Sequence, residues 1–198
     1  MPPADSPADS LTPDYFDGVY AHADDPWSFE TSAYEHAKYD DTLAALPRAT
    51  YSHALEVGCS IGVLTARLAA RCESLLSLDV AARALEQARA RCAGLPHVTF
   101  ERRNLPGEFP DAEFDLILLS EVGYYWSMPD LRRTLDLCRN ALTPSGHLLL
   151  VHWTPYVDDY PLTGDAVHQA ALAHEGFRHL NGHRMETYRL DVFARDAP

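Results

Sequence analysis

After Pro47 the sequence alternates between short apolar runs and longer amphipathic runs, and this alternation restricts the fold more than any other feature. The apolar runs have the length and composition of strands and cover residues 54–57, 75–79, 98–102, 114–120 and 147–152. The amphipathic runs predict helices at residues 64–71, 81–92 and 131–142. Parallel strands need a crossover of helix length, so this order predicts an α/β fold with a mostly parallel sheet.

Two extended runs near the end of the chain break the alternation. A turn-rich stretch leads to a predicted helix at residues 166–175, followed by runs at residues 177–180 and 188–195. We expect these two runs to join near Asn181-Gly182. Because no helix separates them, they predict an antiparallel hairpin at the edge of the sheet. The whole pattern predicts a doubly wound, Rossmann-like sheet of seven strands, mostly parallel with a C-terminal antiparallel hairpin.

The N-terminal part of the chain precedes this pattern. Residues 1–14 are rich in Pro, Ala, Asp and Ser, and we expect them to be a mobile leader because they hold too little apolar material to pack. Residues 15–46 mix aromatic residues with turn formers and end in a predicted helix at residues 34–46. We expect this part to be an N-terminal lid and helix region within one domain that covers residues 15–198.

The balance of charges excludes several classes of partner. The chain has 16 Lys and Arg against 29 Asp and Glu, a formal charge of −13 with neutral histidines. Binding to phosphate backbones depends on clustered Lys and Arg, so we expect no nucleic-acid partner and no association with an anionic membrane. No apolar run reaches the roughly 18–20 residues that cross a bilayer, and we see no secretory signal. We therefore expect a cytoplasmic protein.

The cysteines and histidines do not predict a metal site. The four cysteines show no CxxC spacing, which indicates reduced thiols. Four histidines cluster in the C-terminal third, at positions 168, 174, 179 and 183. Positions 168 and 174 lie off one helical face, and no cysteine supports them, so we expect no metal.

A glycine-containing segment lies where the first predicted strand ends and a helix begins, Leu55-Glu56-Val57-Gly58-Cys59-Ser60-Ile61-Gly62. Glycines at such a point let the backbone turn sharply and approach a ligand, and a helix N-terminus offers free N–H groups. Asp79 ends the next predicted strand, about 20 residues after Gly58, where a dinucleotide-type fold places an acid on a ribose. Two roles for Asp79 stay open, a ribose contact and an N-cap of the helix that starts at Ala81.

These residues resemble the first motif of the class I S-adenosylmethionine-dependent methyltransferases, acid-x-Gly-x-Gly-x-Gly. The sequence from Glu56 to Gly62 matches it, with Ser60 in place of the middle glycine. The family's later Leu-x-Pro-Gly-Gly-x-Leu turn corresponds to Leu142-Thr143-Pro144-Ser145-Gly146-His147-Leu148. The resemblance implies S-adenosylmethionine as cofactor. The acid at position 56 agrees with it, because a carboxylate attracts the cofactor's ammonium and would repel a pyrophosphate.

The family's motifs also imply which residues contact the cofactor. Its ribose acid falls on Asp79, and its adenine acid falls on Asn104, whose amide oxygen can accept the same hydrogen bond. The cofactor-binding residues so implied are Glu56, Gly58, Cys59, Ser60, Gly62, Asp79, Val80, Asn104, Leu105 and Ser120. Trp27, Tyr34 and Lys38 precede the core of the fold and are either a lid over the cofactor or packing residues of the N-terminal helix.

Longer segments resemble the nodulation protein S group of this family. They are Asp25-Pro26-Trp27-Ser28-Phe29-Glu30-Thr31-Ser32-Ala33-Tyr34-Glu35 with Lys38-Tyr39, residues 119–125, His152-Trp153 and residues 161–168. That group is known for N-methylating the amino sugar of a deacetylated chitooligosaccharide. The resemblance implies a methyltransferase acting on an amine of a small-molecule or oligosaccharide acceptor. O-methylation of a small natural product and a catalytically silent cofactor-binding protein are the alternatives.

An amine that arrives as an ammonium must lose a proton before it can attack a methyl group, so a base near the strand ends is useful. Glu121 follows the predicted strand at residues 114–120, and His152 ends the next strand. We consider both as catalytic candidates. The structural alternatives are a capping or cofactor-facing role for Glu121 and a buried, hydrogen-bonded role for His152.

Aromatic side chains cluster near the same two strand ends. Such faces stack on a sugar ring or hold a cationic amine, and the alternative for each is core packing. The predicted acceptor-binding residues are Tyr124, Tyr125, Trp126 and Trp153. The acidic residues Asp158, Asp159 and Asp165 are expected to form a rim that attracts a cationic acceptor, with a solvated loop as the alternative.

Overall fold

The computed structural model describes residues 9–196. The helices within this range are α1 (Pro13–His22), α2 (Ala33–Ala44), α3 (Val63–Leu68), α4 (Ala82–Arg91), α5 (Met128–Ala141) and α6 (Gly164–Leu172). The strands are β1 (Tyr51–Val57), β2 (Cys72–Asp79), β3 (Val98–Arg102), β4 (Phe114–Ser120), β5 (Leu142–Trp153), β6 (Phe177–Arg184) and β7 (Tyr188–Arg195). Short 3₁₀ turns follow α3 at Ala69–Arg71 and β4 at Gly123–Tyr125.

All seven strands join one sheet in the order β3-β2-β1-β4-β5-β7-β6. The first five strands are parallel to one another, and β7 runs antiparallel to both of its neighbours. The chain winds from β1 outward to β3 and then returns to the other side of β1 at β4. The predicted doubly wound sheet with a C-terminal antiparallel hairpin is confirmed.

The central strands are buried on both faces because helices cover each side of the sheet. Leu55 of β1 and Ile117 of β4 belong to a core that α5 and α6 cover. Their chain neighbours Ala54 and Leu116 point the other way and belong to a core that α2 and α3 cover. This two-sided burial explains why the sequence shows near-continuous apolar runs here instead of strict alternation.

The N-terminal region differs from the expected mobile leader. Residues 1–8 lie outside the described part of the chain, but α1 already begins at Pro13, with Thr12 at its N-cap. Proline suits the first helical turn, where its missing N–H costs no hydrogen bond. The N–H of Leu11 also donates to the carbonyl oxygen of Tyr125 at 2.8 Å, which ties the chain down before the helix. The predicted leader is therefore too long, and α1 was missed.

The hairpin turn also differs from the prediction. Instead of forming the turn, Asn181 and Gly182 lie inside β6, paired with Val192 and Asp191 of β7. The pairing register shifts just before them, between residues 179 and 181, so this Asn-Gly pair sits at a strand irregularity. The chain reverses at residues 185–187 instead, where the N–H of Met185 donates to the carbonyl of residue 188.

The remaining element boundaries differ in smaller ways. Strands β1, β2 and β5 begin earlier than predicted. The pairing of β1 with β2 extends back to Tyr51 and Cys72, and β5 already pairs at Leu142, ahead of a shift in its register with β4. Helix α6 ends at Leu172, short of the predicted residue 175. Among residues 9–196, none of the helices has both the length and the apolar composition needed to cross a bilayer.

Candidate functional site

A cavity of about 340 Å³ lies at the carboxyl ends of the central strands. Residues that follow β1, β2 and β4 line one side of it, and residues of α1 and α2 line the other. The strand order reverses between β1 and β4, and ligands of doubly wound sheets bind in the crevice at such a switch point. The volume falls within the range of about 300–1,000 Å³ typical of small-molecule sites.

The loop after β1 takes left-handed backbone conformations at three alternate positions. Gly58 has φ +81°, Ser60 has φ +51° and Gly62, the N-cap of α3, has φ +78°. A Cβ at Gly58 would lie 2.0 Å from a methyl carbon of Val122, and a Cβ at Gly62 would lie 2.9 Å from the Cα of Ala88. Both glycines are therefore required by the close approach of neighbouring segments. Ser60 adopts the turn despite its side chain.

Asp79, at the end of β2, binds the backbone of this loop. Its Oδ2 accepts a hydrogen bond from the N–H of Ser60 at 2.8 Å, and its Oδ1 accepts one from the N–H of Ala81 at 2.9 Å. Burial raises the pKa of this carboxyl group, although those N–H donors oppose the rise. Asp79 thus holds the loop and the start of α4 while it lines the cavity.

Glu56 lies beneath the loop on β1 and is 1% exposed. Its Oε2 accepts hydrogen bonds from the hydroxyls of Thr65 at 2.6 Å and Ser77 at 2.8 Å. Burial raises the pKa of Glu56 to about 7, against the effect of the two hydroxyl donors. Glu56 lines a smaller space next to the main cavity, behind Gly58 and Ser60.

Glu121, the first residue after β4, is the most densely hydrogen-bonded carboxylate of the cavity. Its Oε2 accepts from the hydroxyl of Tyr124 at 2.5 Å and from the N–H of Trp153 at 2.7 Å, and its Oε1 accepts from the ammonium of Lys38. The residue has φ +56°, a conformation that non-glycine residues seldom adopt. Three donors from three segments therefore fix this carboxylate in place.

Lys38 of α2 bridges Glu121 and Glu35. Its Nζ lies 3.0 Å from Oε1 and 2.9 Å from Oε2 of Glu35, and its side chain is 2% exposed. Burial alone would lower the pKa of Lys38, but the Glu121 and Glu35 carboxylates outweigh it, and the pKa is raised. Burial also raises the pKa of Glu35, despite the neighbouring ammonium. The three side chains together carry one negative charge when all are ionised.

Aromatic rings surround these charges. The rings of Tyr124 and Tyr160 stack with centroids 5.0 Å apart, and Tyr125 packs edge-on against Tyr124 at 4.7 Å. On the opposite side Trp27 stacks on Phe29 at 5.6 Å. These rings give the cavity large apolar faces next to fixed charges, a combination that suits a cationic or ring-shaped ligand.

Most residues predicted for the site line the main cavity. They are Trp27, Tyr34, Lys38, Gly58, Ser60, Asp79, Val80, Asn104, Leu105, Ser120, Glu121, Tyr124, Tyr125, Trp126 and Trp153. Glu56 and Cys59 lie behind the loop, and Gly62 begins α3 against α4. The cavity thus brings the two predicted groups, cofactor and acceptor residues, into one continuous space.

His152 does not reach the cavity, which disagrees with the prediction of a base that touches the acceptor. The residue is fully buried, and its Nε2 accepts a hydrogen bond from the N–H of Gly123 at 3.0 Å. Its Nδ1 lies 3.2 Å from Nε2 of His168. Successive side chains of a strand point to opposite faces, so Trp153 lines the cavity while its neighbour points away.

Several lining residues were not among the predicted site residues. Phe16, Tyr20, Arg103 and Tyr160 lie outside the segments that carry the family resemblance, whereas Phe29 and Glu35 lie within one of them. Phe16 and Tyr20 are four residues apart on α1, so recognising that helix would have placed both rings on one face. The hydroxyl of Tyr20 lies 2.5 Å from the hydroxyl of Ser60, which joins α1 to the glycine loop.

The predicted acidic rim is only partly present. Asp158 and Asp159 are exposed and lie between Val157 and Tyr160, which line the cavity. Asp165 instead binds the guanidinium of Arg184 at 3.0 and 3.2 Å on the outside of the fold, and this hydrogen bonding lowers its pKa. The described residues contain no group of three His, Cys, Asp or Glu side chains placed to hold a metal ion.

Comparisons with known proteins identify similar sequences and a similar fold. A family model described as nodulation protein S (NodS) matches residues 19–151. Nodulation protein S of Rhizobium tropici is 31% identical over 129 residues, which are 64% of this chain and 54% of that protein. Nodulation protein S of Bradyrhizobium diazoefficiens is 38% identical over 103 residues, 52% of this chain and 49% of that protein.

The chain belongs to the nodulation protein S (NodS) family. A crystal structure of the N-methyltransferase NodS from Bradyrhizobium japonicum WM9, in complex with S-adenosyl-L-homocysteine, is similar in fold. Its TM-score is 0.83 at 23% identity, over 94% of this chain and 100% of that chain. The family resemblance predicted from the sequence is confirmed. The chain spans about half the length of these two nodulation protein S relatives.

Proposed function

We propose that this protein is an S-adenosylmethionine-dependent methyltransferase that methylates the amine of a small or oligosaccharide acceptor. The observation that carries the proposal is the Glu121 carboxylate, held at the strand ends by three donors and surrounded by aromatic rings. Membership of the NodS family supports the reaction class, since one member with this fold is named an N-methyltransferase.

The residues on the β1 and β2 side of the cavity fit the cofactor. A carboxylate can accept about four hydrogen bonds, and Asp79 uses two, so capacity remains for ribose hydroxyls. The apolar side chains of Val80 and Leu105 line the cavity beside Asn104 and suit a flat heterocycle. When bound, the cofactor supplies a methyl group carried on a sulfonium.

Glu121 binds the amine of the acceptor and takes up its proton. Three of its roughly four acceptor positions are occupied by Lys38, Tyr124 and Trp153, which leaves one for an N–H of the incoming ammonium. That contact receives one proton from the ammonium, and rotation about the C–N bond then turns the lone pair of the neutral amine toward the methyl group. The surrounding aromatic faces stabilise the cation before the proton leaves.

An alcohol acceptor fits the site less well than an amine. An alcoholic hydroxyl is a much weaker acid than an ammonium, so its activation requires a stronger base than a carboxylate. No histidine lines the cavity in the described part of the chain, and the Nε2 of His152 is already engaged by Gly123. Among amines, an amino sugar also offers ring faces that stack on the Tyr124 and Tyr160 side.

Two measurements test the cofactor and the acceptor separately. Isothermal titration with S-adenosylhomocysteine should give saturable binding, and its absence would remove the methyltransferase assignment. Incubation with labelled S-adenosylmethionine should transfer label to glucosamine and to deacetylated chitobiose. Transfer to N-acetylglucosamine or a phenol, with none to the free amines, would overturn N-methylation.

The Glu121→Gln variant tests the assigned role of the carboxylate. It keeps the side-chain shape but removes the charge and the proton acceptor, so we expect turnover with an amine to fall by about 100-fold or more. The dissociation constant of S-adenosylhomocysteine should stay within about twofold of the wild-type value. Glu113→Gln is the matched control, because Glu113 is exposed at the opposite end of β4. Equal turnover of the two variants would contradict the assignment.

A further inference from the structure

A chain of hydrogen bonds runs through the fold behind the turn formed by residues 121–125. It starts at the N–H of Gly123, passes through His152 of β5 and His168 of α6, and ends on Asp191 of β7. The three distances are 3.0, 3.2 and 2.7 Å. His152 and His168 are fully buried and Asp191 is 2% exposed, so the chain is shielded from water along its length.

The donor and acceptor of every hydrogen bond in this series follow from the first one, which the N–H of Gly123 donates. The N–H of Gly123 can only donate, so Nε2 of His152 carries no proton and its Nδ1 carries one. That Nδ1–H donates to Nε2 of His168, whose proton is therefore on Nδ1 and is donated to Oδ2 of Asp191. Both imidazoles are neutral in this arrangement, and Asp191 is the anionic end.

The electrostatic surroundings agree with this protonation pattern. Burial lowers the pKa of both imidazoles, most strongly for His152, which keeps them neutral. Burial alone would raise the pKa of Asp191, but its bonds to His168, the nearby Arg189 and His179 outweigh this effect and lower it. The Nε of Arg189 lies 2.7 Å from Oδ2 of Asp191, and the Nε2 of His179 lies 2.7 Å from Oδ1.

Three glycines make room for this chain of side chains. A Cβ at Gly123 would lie 3.0 Å from Nε2 of His152 and 2.6 Å from a methyl carbon of Val167. A Cβ at Gly164 would approach the Cβ of His152 to 3.2 Å and the carbonyl oxygen of residue 153 to 2.1 Å. A Cβ at Gly182 would lie 2.0 Å from Oδ1 of Asp191. The backbone thus accommodates these side chains on three separate elements, β6, α6 and the turn after β4.

The Gly123 end of this hydrogen-bonded chain lies next to the proposed acceptor side of the cavity. Gly123 begins the 3₁₀ turn that carries Tyr124 and Tyr125, and the Tyr124 hydroxyl donates to Glu121. Glu121 has a left-handed backbone, so its carboxylate stays in place only if the residues after it are held. The ring of His152 also packs edge-on against Tyr124, with centroids 5.4 Å apart.

We propose that Asp191, His168 and His152 are positioning residues that anchor the 121–125 turn and so set the geometry of the acceptor side of the cavity. None of the three touches the cavity, and they act through the Gly123 N–H and the Tyr124 ring. The effect of the turn on acceptor binding rests on the proposed function. The hydrogen-bonded chain and its anchoring of the turn do not depend on that proposal.

The protonation pattern is tested on the wild-type protein by ¹⁵N-edited NMR of the imidazole rings. Both His152 and His168 should show a protonated Nδ1 and an unprotonated Nε2, unchanged from pH 6 to pH 8. A protonated Nε2 on either ring, or titration of either ring in this range, would overturn the proposal. This readout needs neither cofactor nor acceptor, so it stands even if no methyl transfer is detected.

The anchoring effect is tested with His168→Phe, which fills the site but removes both hydrogen bonds. We expect amide hydrogen exchange of Gly123 to quicken by about tenfold or more, as expected for losing a buried hydrogen-bond anchor. Exchange in β1 and the dissociation constant of S-adenosylhomocysteine should stay unchanged. For an accepted amine, KM should rise with a smaller change in kcat. His183→Phe on β6 is the control, because His183 binds Asp41 outside this chain.

Two further variants separate anchoring from a general loss of packing. His168→Gln keeps an oxygen that can accept from His152 and should restore part of the Gly123 protection. Asp191→Asn removes the charge at the end of the chain and should quicken exchange at Gly123 less than His168→Phe does. Equal exchange at Gly123 in wild type and His168→Phe, or a uniform increase across β1 and the turn, would contradict the proposal.

Discussion

The two sides of the cavity are built from the chain in different ways. On the β1 and β2 side, Asp79 binds the N–H of Ser60 across 19 residues of sequence, within one strand–helix–strand unit. On the acceptor side, Glu121 binds Lys38 across 83 residues and Trp153 across 32 residues. One side is a local feature of a single supersecondary unit, and the other is assembled from distant elements.

This difference has an energetic consequence. The glycine loop depends on the backbone conformation of a few single residues, so one substitution there can disturb ligand binding. The loop needs few side-chain contacts with other parts of the fold. The acceptor side depends on a buried group of charges, where removing one member leaves the others unpaired. We therefore expect substitutions on the acceptor side to affect the stability of the whole fold, and substitutions near the loop to affect ligand binding more selectively.

The largest effect is expected for Lys38→Met. Removing the ammonium leaves Glu35 and Glu121, two largely buried acids, without a cationic partner, so the free energy of unfolding should fall by about 3–5 kcal/mol. Urea denaturation at pH 7 measures the change. The Lys38→Met/Glu35→Leu double variant should recover part of the loss, because one of the unpaired carboxyl groups is gone.

An exposed ion pair serves as the control for this prediction. Arg83 binds Asp24 at 2.9 Å, but both side chains are more than half exposed. Arg83→Met should therefore change the free energy of unfolding by less than about 1 kcal/mol. If Lys38→Met costs no more than Arg83→Met, the acceptor side is not held together by its buried charges.

A pH-dependent effect is expected for Glu56→Gln on the loop side. Folded Glu56 keeps its proton up to about pH 7, while the unfolded chain releases it near 4.5. The unfolded state thus binds fewer protons between these values, so this residue makes the free energy of unfolding fall as pH rises from 4.5 to 7. The glutamine variant should be more stable than wild type by up to about 3 kcal/mol at pH 8, with the difference fading below pH 4.5.

Denaturation curves at a series of pH values check this prediction. Glu73→Gln is the control, because it makes the same substitution at an exposed position of β2. A Glu56→Gln profile parallel to that of wild type across pH 4.5–7 would show that Glu56 is ionised in the folded protein.

The smallest effect is expected for Tyr20→Phe. The substitution removes the hydroxyl that lies 2.5 Å from the Ser60 hydroxyl, while the ring stays buried against Trp27. Loss of one such hydrogen bond should weaken S-adenosylhomocysteine binding by about two- to tenfold. Titration calorimetry measures it, with the exposed Tyr156→Phe as control. An unchanged affinity for S-adenosylhomocysteine would show that the hydrogen bond from α1 to the glycine loop does not contribute to ligand binding.

The sequence predicted the elements of the central sheet well because their signals are local. The apolar run at 114–120 became β4 with the predicted boundaries, and the run at 98–102 became β3. The glycine loop was equally predictable, since a left-handed turn between strand and helix requires particular residues at fixed spacing. Asp79 serves the loop and the start of α4 at once, which are compatible roles.

The failures have physical causes of a different kind. Helix α1 mixes its aromatic residues with Pro13, Asp17 and Gly18, which have the composition of turns, and its rings contact distant residues, such as Phe16 with Tyr125. Asn181-Gly182 has the composition of a turn, but pairing with β7 and the space needed by Asp191 place it inside a strand. Such outcomes depend on neighbours that are remote in sequence.

By itself, the sequence determined the α/β fold, the family, the position of the glycine loop and the strand ends at which a site must lie. Only the tertiary structure decided that Glu121 enters the cavity and that His152 turns away to hold Gly123. The reason is that a strand-end position is a property of the local chain, whereas the direction and the partners of a side chain depend on which elements pack beside it. The position of the Lys38 side chain likewise depends on packing, because its partner Glu121 follows β4, 83 residues later in the sequence.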